Sequence, residues 1–300
     1  MHPFRPVPHN GTLGVFSPSS PFETERFESG LTILRGLGYT VRVHEQTTAR
    51  KGFLAGDDQQ RLRALYELTE DPEIHGIIAA RGGYGAHRLL FDLDAVRAAT
   101  DRKALIGFSD VVVLHQALQR VGLVSVHGPV VTQLGDLDAS EHAHLARVLS
   151  GPTDPFTLTA DGPALAPGQA TGPLIGGCLA VLASLVGTPH LFVPPGSILL
   201  LEDVGEVPYR LDRMLTHLRL AGVFDRIAGI ALGDFVNCHS TRPDQPKAAE
   251  VLSERLGNLG IPVLAGLPIG HGTRNLAVPL GARATLDASA HRLSLYEVAA

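Results

Sequence analysis

Sulfur is scarce in this chain and tryptophan is absent. Two cysteines, Cys178 and Cys238, occur in 300 residues. They are too few for a disulfide framework and do not form a C-x-x-C pair. No long basic block is present, and the formal net charge is −5. That excludes the broad cationic footprint of a nucleic-acid binder. No apolar run reaches the roughly 20 residues of a membrane span. The longest, Leu174 to Gly187, is broken by glycines and a serine. The first ten residues lack the apolar core of a secretory signal. The expectation is a cytoplasmic protein with no membrane partner. Fourteen histidines are present, yet no H-E-x-x-H or Cys/His zinc spacing occurs. No metal is expected, and the His142–His144 pair reads as a solvated helix face.

Hydrophobic residues at 44% and charged residues at 18% are ordinary for a globular chain with a sizeable core. Residues 12–16 read as a first strand. Ser20 is a candidate helix N-cap, with Pro21 at N1 and Glu23 completing a capping box, for a helix running to about Gly36. A strand follows at 39–43. A helix opens at Gly56–Asp58, with Leu62, Leu65 and Leu68 at helical spacing. Strands are expected at 76–80 and 104–107. Such alternation predicts a parallel sheet covered on both faces, with its site at the carboxyl ends of the strands. Residues 151–170 are dense in proline and glycine and read as a connection. It separates a domain at 1–150 from one at 171–300. In the second half, a helix is expected at 179–185 and strands at 197–201, 227–232 and 263–267. A further helix is expected over 208–221. The tail, 276–298, reads as antiparallel hairpins.

Ser109 stands where the strand Ala104–Gly107 turns into a helix. A hydroxyl at that corner projects above the sheet edge beside unpaired helix N–H groups, a geometry suited to a nucleophile. Helix capping is the competing role. The G-x-S-x-G elbow lacks its second glycine, since residue 111 is Val. A serine nucleophile needs a base and an orienting group. His127, His190 and His271 are the candidate bases, and His271 lies between two glycines. Glu202 ends an apolar strand as the candidate orienter. Glu206 competes with it, while Asp203 faces the opposite way.

Several segments share one order with a known family. They are Ser17-Pro-Ser-Ser-Pro21, Ala80-Arg-Gly-Gly-Tyr-Gly85 with Arg88-Leu-Leu90, Ile106-Gly-Phe-Ser-Asp110 and His127-Gly-Pro129. Further along come Gly176-Gly177 with Leu185-Val-Gly-Thr188, and Leu201-Glu-Asp-Val-Gly-Glu206 with Tyr209-Arg-Leu-Asp-Arg-Met214. The last is Gly266-Leu-Pro-Ile-Gly-His-Gly272. Together they resemble the LD-carboxypeptidase family of serine peptidases, which trim murein tetrapeptides. Cys178 stands where Asn is common in that family, and Phe108 where Tyr is usual.

The resemblance implies an α/β fold, with an N-terminal parallel-sheet, Rossmann-like domain and a smaller β-rich C-terminal α/β domain. It implies a triad of Ser109, Glu202 and His271 and an oxyanion hole from the N–H groups of Asp110 and Gly83. The implied reaction releases terminal D-alanine from a murein peptide in peptidoglycan recycling, with no cofactor and as a homodimer. Arg81 is the candidate partner of the substrate carboxylate, or else a brace for the glycine loop. Tyr84 either lines the cleft or packs. Cys178 reads as a small packing residue. Two alternatives stand beside this reading. One is a microcin C immunity-type amidase acting on peptidyl- or aminoacyl-nucleotides. A stacking surface for the base would favour it, and the chain has no tryptophan. The other is a non-enzymatic nucleotide- or ligand-binding protein, for which the glycine loop lacks G-x-G-x-x-G spacing and a P-loop lysine.

Overall fold

A computed structural model describes residues 1–152, 154–242 and 244–296. Thr153 of the expected connection, Pro243, and the last four residues of the expected 171–300 domain lie outside the described residues. The chain divides into two compact units. One is Met1–Asp154 with Leu276–Gly281, and the other is Pro155–Asn275 with Ala282–Tyr296.

The first unit alternates β1 (Thr12–Phe16), α1 (Thr24–Gly36), β2 (Thr40–Val43), α2 (Asp58–Glu70), β3 (Gly76–Ala79) and α3 (Ala95–Ala99). It continues through β4 (Ala104–Gly107), α4 (Val112–Arg120), β5 (Ser125–His127) and α5 (Ala139–Leu149). Strands β3 and β4 are buried at every position, as strands covered on both faces must be. Strands β2, β1, β3, β4 and β5 lie side by side in that order and all run parallel. In such a doubly wound order the chain reverses direction between β1 and β3. The loops leaving their carboxyl ends diverge there and open a crevice.

The second unit contains β6 (Phe156–Thr159), β7 (Ala164–Ala166), β8 (Gln169–Cys178), α6 (Leu179–Leu185), β9 (Ser197–Val204), α7 (Pro208–Leu220), β10 (Ile227–Val236), α8 (Ala248–Leu256) and β11 (Val263–Leu264). The chain then supplies β12 (Val278–Leu280), β13 (Arg283–Asp287) and β14 (Arg292–Leu295). Strands β8, β9, β10 and β11 run parallel at the centre of an eight-stranded sheet. Antiparallel β7 flanks them on one side, and β13, β14 and β6 on the other. The protein is therefore a mixed α/β chain with one mainly parallel sheet and one mixed sheet.

Three local expectations need correction. Residues 156–170 are not a bare connection, because they form β6, β7 and the start of β8. Ser20 does not cap α1. The helix starts at Thr24 after Glu23, whose side chain makes no capping hydrogen bond. The Ser20 hydroxyl is engaged elsewhere, accepting the Tyr84 N–H at 3.0 Å. His142 and His144 are not a solvated pair: their Nε2 atoms lie 2.8 and 2.9 Å from the carbonyls of Leu134 and Ala277. The tail also departs from simple hairpins. β13 and β14 pair with each other, but β12 pairs antiparallel with β5 in the first unit.

Candidate active site

Ser109 follows β4 at a sharp corner and has φ 61°, in the left-handed region that an L-residue enters at a cost of roughly 1–2 kcal/mol. An N-cap residue has extended backbone. Here Phe108 holds that position, with φ −151° and ψ −169°. The capping role is thereby excluded, and the strain is of the kind stored at functional sites. The missing second glycine is explained by packing. A Cβ added to Gly107 would lie 3.0 Å from both Cγ atoms of Val111. The Val111 side chain fills the space that Gly107 leaves open. On the far side of the corner, His115 Nε2 bonds the Gly107 carbonyl at 2.8 Å. Burial pulls the His115 pKa down to about 3, so its ring is neutral and its N–H fastens α4 to the end of β4.

The glycine loop lies against this corner. A Cβ on Gly82 would come within 2.9 Å of Ser109 Cβ, and one on Gly83 within 2.6 Å of Ser20 Oγ. Gly83 also has φ +105°. Only glycines let the backbone approach this closely. The loop is tied from beneath by side chains that sequence reasoning overlooked. Asp110 is buried, and its Oδ2 accepts Ser19 Oγ at 2.6 Å and the Ala86 N–H at 2.7 Å. Arg61 is fully buried and donates to the carbonyls of Pro18 at 2.5 Å and Gly85 at 2.9 Å. It also pairs with Asp58, which Arg88 grips in turn. A signal for Arg61 exists in the sequence. It shares a stripe with Leu65 and Leu68, four and seven residues on, so it falls on the apolar face of α2. The Arg81 fork donates to the Pro21 carbonyl at 2.6 Å. Tyr84 is exposed and meets the Phe53 ring edge-on at 5.3 Å.

In the second unit, Glu202 and His271 are brought together. Glu202 sits in β9 with no exposed surface, and its Oε2 lies 2.6 Å from His271 Nδ1. A buried carboxylate on Nδ1 fixes the tautomer and leaves Nε2 to act on a proton. Glycines again make the approach possible. A Cβ on Gly270, which has φ +116°, would meet Glu202 Oε2 at 2.6 Å. Asn275 Oδ1 accepts the Gly270 N–H at 2.9 Å and holds the loop from the other side.

The competing groups have other partners. Glu206 pairs with Arg210 at 3.6 Å. Asp203 accepts the N–H groups of Ala180 at 2.9 Å and Val204 at 2.8 Å. It therefore satisfies the start of α6, and burial raises its pKa to about 6. His127 is fully buried beside the Phe108 ring. The His190 N–H bonds Thr188 Oγ1 at 3.2 Å. Among the described residues, no helix is long and apolar enough to cross a membrane, and no group of three His, Cys, Asp or Glu side chains is placed to hold a metal.

The N-terminal-domain model of LD-carboxypeptidases matches residues 13–128 and the C-terminal-domain model residues 171–286. The chain belongs to the LD-carboxypeptidase family. A murein tetrapeptide carboxypeptidase of Pseudomonas aeruginosa is 36% identical, over 93% of this chain and 94% of the relative. The crystal structure of a muramoyltetrapeptide carboxypeptidase from Oxalobacter formigenes matches with a TM-score of 0.86 at 30% identity, covering 96% of this chain and 100% of that one. A microcin C7 self-immunity protein matches with a TM-score of 0.89 at 24% identity, over 99% of both chains, and so shares the fold. As an LD-carboxypeptidase, the chain is a hydrolase of the serine peptidase class. Cys178 and Phe108 are both buried. Cys178 precedes α6 with its Sγ 3.7 Å from Asp203 Oδ1, and Phe108 packs against His127.

Proposed function

We propose that this LD-carboxypeptidase releases the terminal D-alanine of murein tetrapeptides in peptidoglycan recycling. Its triad is Ser109, His271 and Glu202. The observation that carries this reading is Ser109 itself, a serine held in left-handed backbone at a strand-to-helix corner with a glycine loop against its side chain. Capping does not require that strain. A presented nucleophile does.

In the proposed mechanism, His271 Nε2 accepts the Ser109 proton as Oγ attacks the amide carbonyl. Glu202 stabilises the imidazolium that forms. The N–H groups of Gly83 and Asp110 receive the oxyanion, each worth on the order of a hundredfold in rate. His271 then protonates the departing amine, and water hydrolyses the acyl-enzyme. Arg81 meets the substrate carboxylate, for which a planar fork is suited, and Tyr84 lines the approach. The reading entails a metal-free, cofactor-free homodimer acting in the cytoplasm on a peptide. The net charge of −5 weighs against a nucleic-acid partner.

Mass spectrometry of a murein tetrapeptide incubated with the protein tests the proposal. Loss of D-alanine with the wild type, indifference to a chelator, and no loss with Ser109→Ala are the expected results. Release by Ser109→Ala would remove the nucleophile assignment. A wild type that spares the tetrapeptide and cleaves an aminoacyl-nucleotide would transfer the protein to the immunity-type amidases.

A further inference from the structure

Strand β10 is irregular where it passes the orienting glutamate. Leu232 pairs with Leu201 and Phe235 with Asp203, so Gly233 and Asp234 together oppose Glu202. Two residues against one is the count of a β-bulge, which re-aims a side chain and is frequent beside active sites. In an unbroken ladder Asp234 would stand opposite Asp203 and share its face, the one turned to the start of α6. The extra residue turns it to the other side. There the Asp234 Oδ2 fills the place that a Cβ on Gly272 would take, and such a Cβ would also come within 2.6 Å of Asp234 Cγ.

His271 therefore lies between two glycines that each rest on a carboxylate. Gly270 rests on Glu202 and Gly272 on Asp234. The Asp234 N–H donates to the Ile269 carbonyl at 2.9 Å. Gly233 lets β10 approach, since a Cβ there would lie 3.2 Å from Glu202 Cβ. Both bulge residues thus support the loop that presents the base. The Asp234 carboxylate is half-buried, and its side chain enters no hydrogen bond or ion pair among the described residues. Three charged groups act on it: Asp161 between β6 and β7, Glu202 on β9, and Arg274 on the loop after His271. Burial above all, then Asp161 and Glu202, raise its pKa from 3.8 to about 6, against the opposing pull of Arg274. The fold holds this proton more tightly than the unfolded chain, so the group costs stability as pH rises from about 4 to about 6. An acid that weakens the fold and bonds nothing within it is a candidate for function.

We propose that Asp234 is a positioning residue for His271: its carboxylate backs the loop through Gly272, and its negative charge favours the imidazolium that forms when the base takes a proton. The inference rests on the proposed triad and adds a second carboxylate beside it. The two acids have different tasks. Glu202 bonds Nδ1 and fixes the tautomer. Asp234 contributes shape and charge, and no bond to it forms or breaks. An opposite charge nearby raises the proton affinity of an imidazole. For a half-exposed carboxylate the effect is about half a pH unit, equivalent to about threefold in rate. The contribution is present where Asp234 is ionised and is lost as pH falls through about 6.

NMR titration of the histidines in the full-length protein, without substrate, tests this apart from turnover. Disappearance in His271→Gln assigns the resonance. The His271 midpoint should lie about half a pH unit lower in Asp234→Asn than in the wild type. Asp234→Ser, which shares only the loss of charge, should show the same displacement. Both variants should melt no lower than the wild type at about pH 8, since an unbonded charge has been removed. With a murein tetrapeptide at that pH, Asp234→Asn should lower kcat about threefold at unchanged KM. An unmoved midpoint in both neutral variants would overturn the proposal. A raised KM at constant kcat would also overturn it, by making Asp234 a substrate contact. Wild-type turnover of the tetrapeptide is the separate readout of the proposed function. Turnover with an unmoved midpoint refutes the role of Asp234 alone. A displaced midpoint without turnover refutes the proposed function and upholds the coupling of Asp234 to His271.

Discussion

The serine at the strand-to-helix corner is held in a conformation that glycine would adopt without strain. Ser109→Gly should therefore unfold at higher urea than Ser109→Ala, by about 1 kcal/mol and with an unchanged m-value. Both variants should be inactive. A more stable alanine variant would mean that φ 61° stores no strain. Gly270 offers the opposite test. An added Cβ would press on Glu202 Oε2 at 2.6 Å in backbone that disfavours L side chains. Gly270→Ala should displace the imidazole from its orienter and lower kcat by about a hundredfold with little change in KM. A large rise in KM at constant kcat would instead tie Gly270 to substrate binding. At this scale, the sequence showed which residue types stood at strand ends. It could not show φ at Ser109, whose side chain lies close against Gly82, next to Val111 packed over Gly107. Nor could it show the buried braces Arg61 and Asp110, whose contacts join segments far apart in the chain.

Strand β9 illustrates how an element sorts two neighbouring acids. Continuing to Val204 rather than stopping at Leu201, it sends Glu202 toward His271 and Asp203 toward the N–H groups that open α6. The alternation of a strand made that division legible in advance. The same element predicts a pH effect. Burial raises the Asp203 pKa from 3.8 to about 6, so the folded state holds this proton more tightly than the unfolded chain. The contribution of Asp203 to stability should then fall as pH rises from about 4 to about 6 and level off above, a cost of up to roughly 3 kcal/mol from this residue. In urea unfolding at several pH values, Asp203→Asn should lose that part of the slope, whatever constant offset it adds. Identical slopes would place the Asp203 pKa near its ordinary value. The local signal for α2 was legible in the sequence. The Asp57 capping box with Gln60 starts α2, close to the expected opening. Elements built on distant partners were not legible. β6 pairs with β14 and β7 with β11, each about a hundred residues or more away, and nothing within a proline- and glycine-dense stretch announces such pairing.

At the scale of the whole chain, the two units are not consecutive. Leu276–Gly281 leaves the second unit, and within it Val278, Pro279 and Leu280 pair antiparallel with His127, Val126 and Ser125. The chain then returns through β13 and β14. A boundary drawn from composition alone places that segment in the wrong unit, because a short apolar run does not reveal which sheet it will join. The arrangement has a physical purpose for β5, a strand buried at all three positions that would otherwise end its sheet with unpaired backbone groups. Such an edge invites association with other chains. The presence of Pro279 in β12 agrees with its place at the outer edge, where one N–H can be spared. A fragment of residues 1–154 should therefore be less stable than the same fragment carrying 276–281 on a glycine-rich linker. It should also scatter more light on warming. Melting curves and light scattering of the two fragments measure this. Equal behaviour would mean that β12 contributes nothing to the first unit. Neither fragment should hydrolyse a tetrapeptide, since both lack Glu202 and His271. Activity in either would remove those two residues from the mechanism, even if the edge-strand argument held.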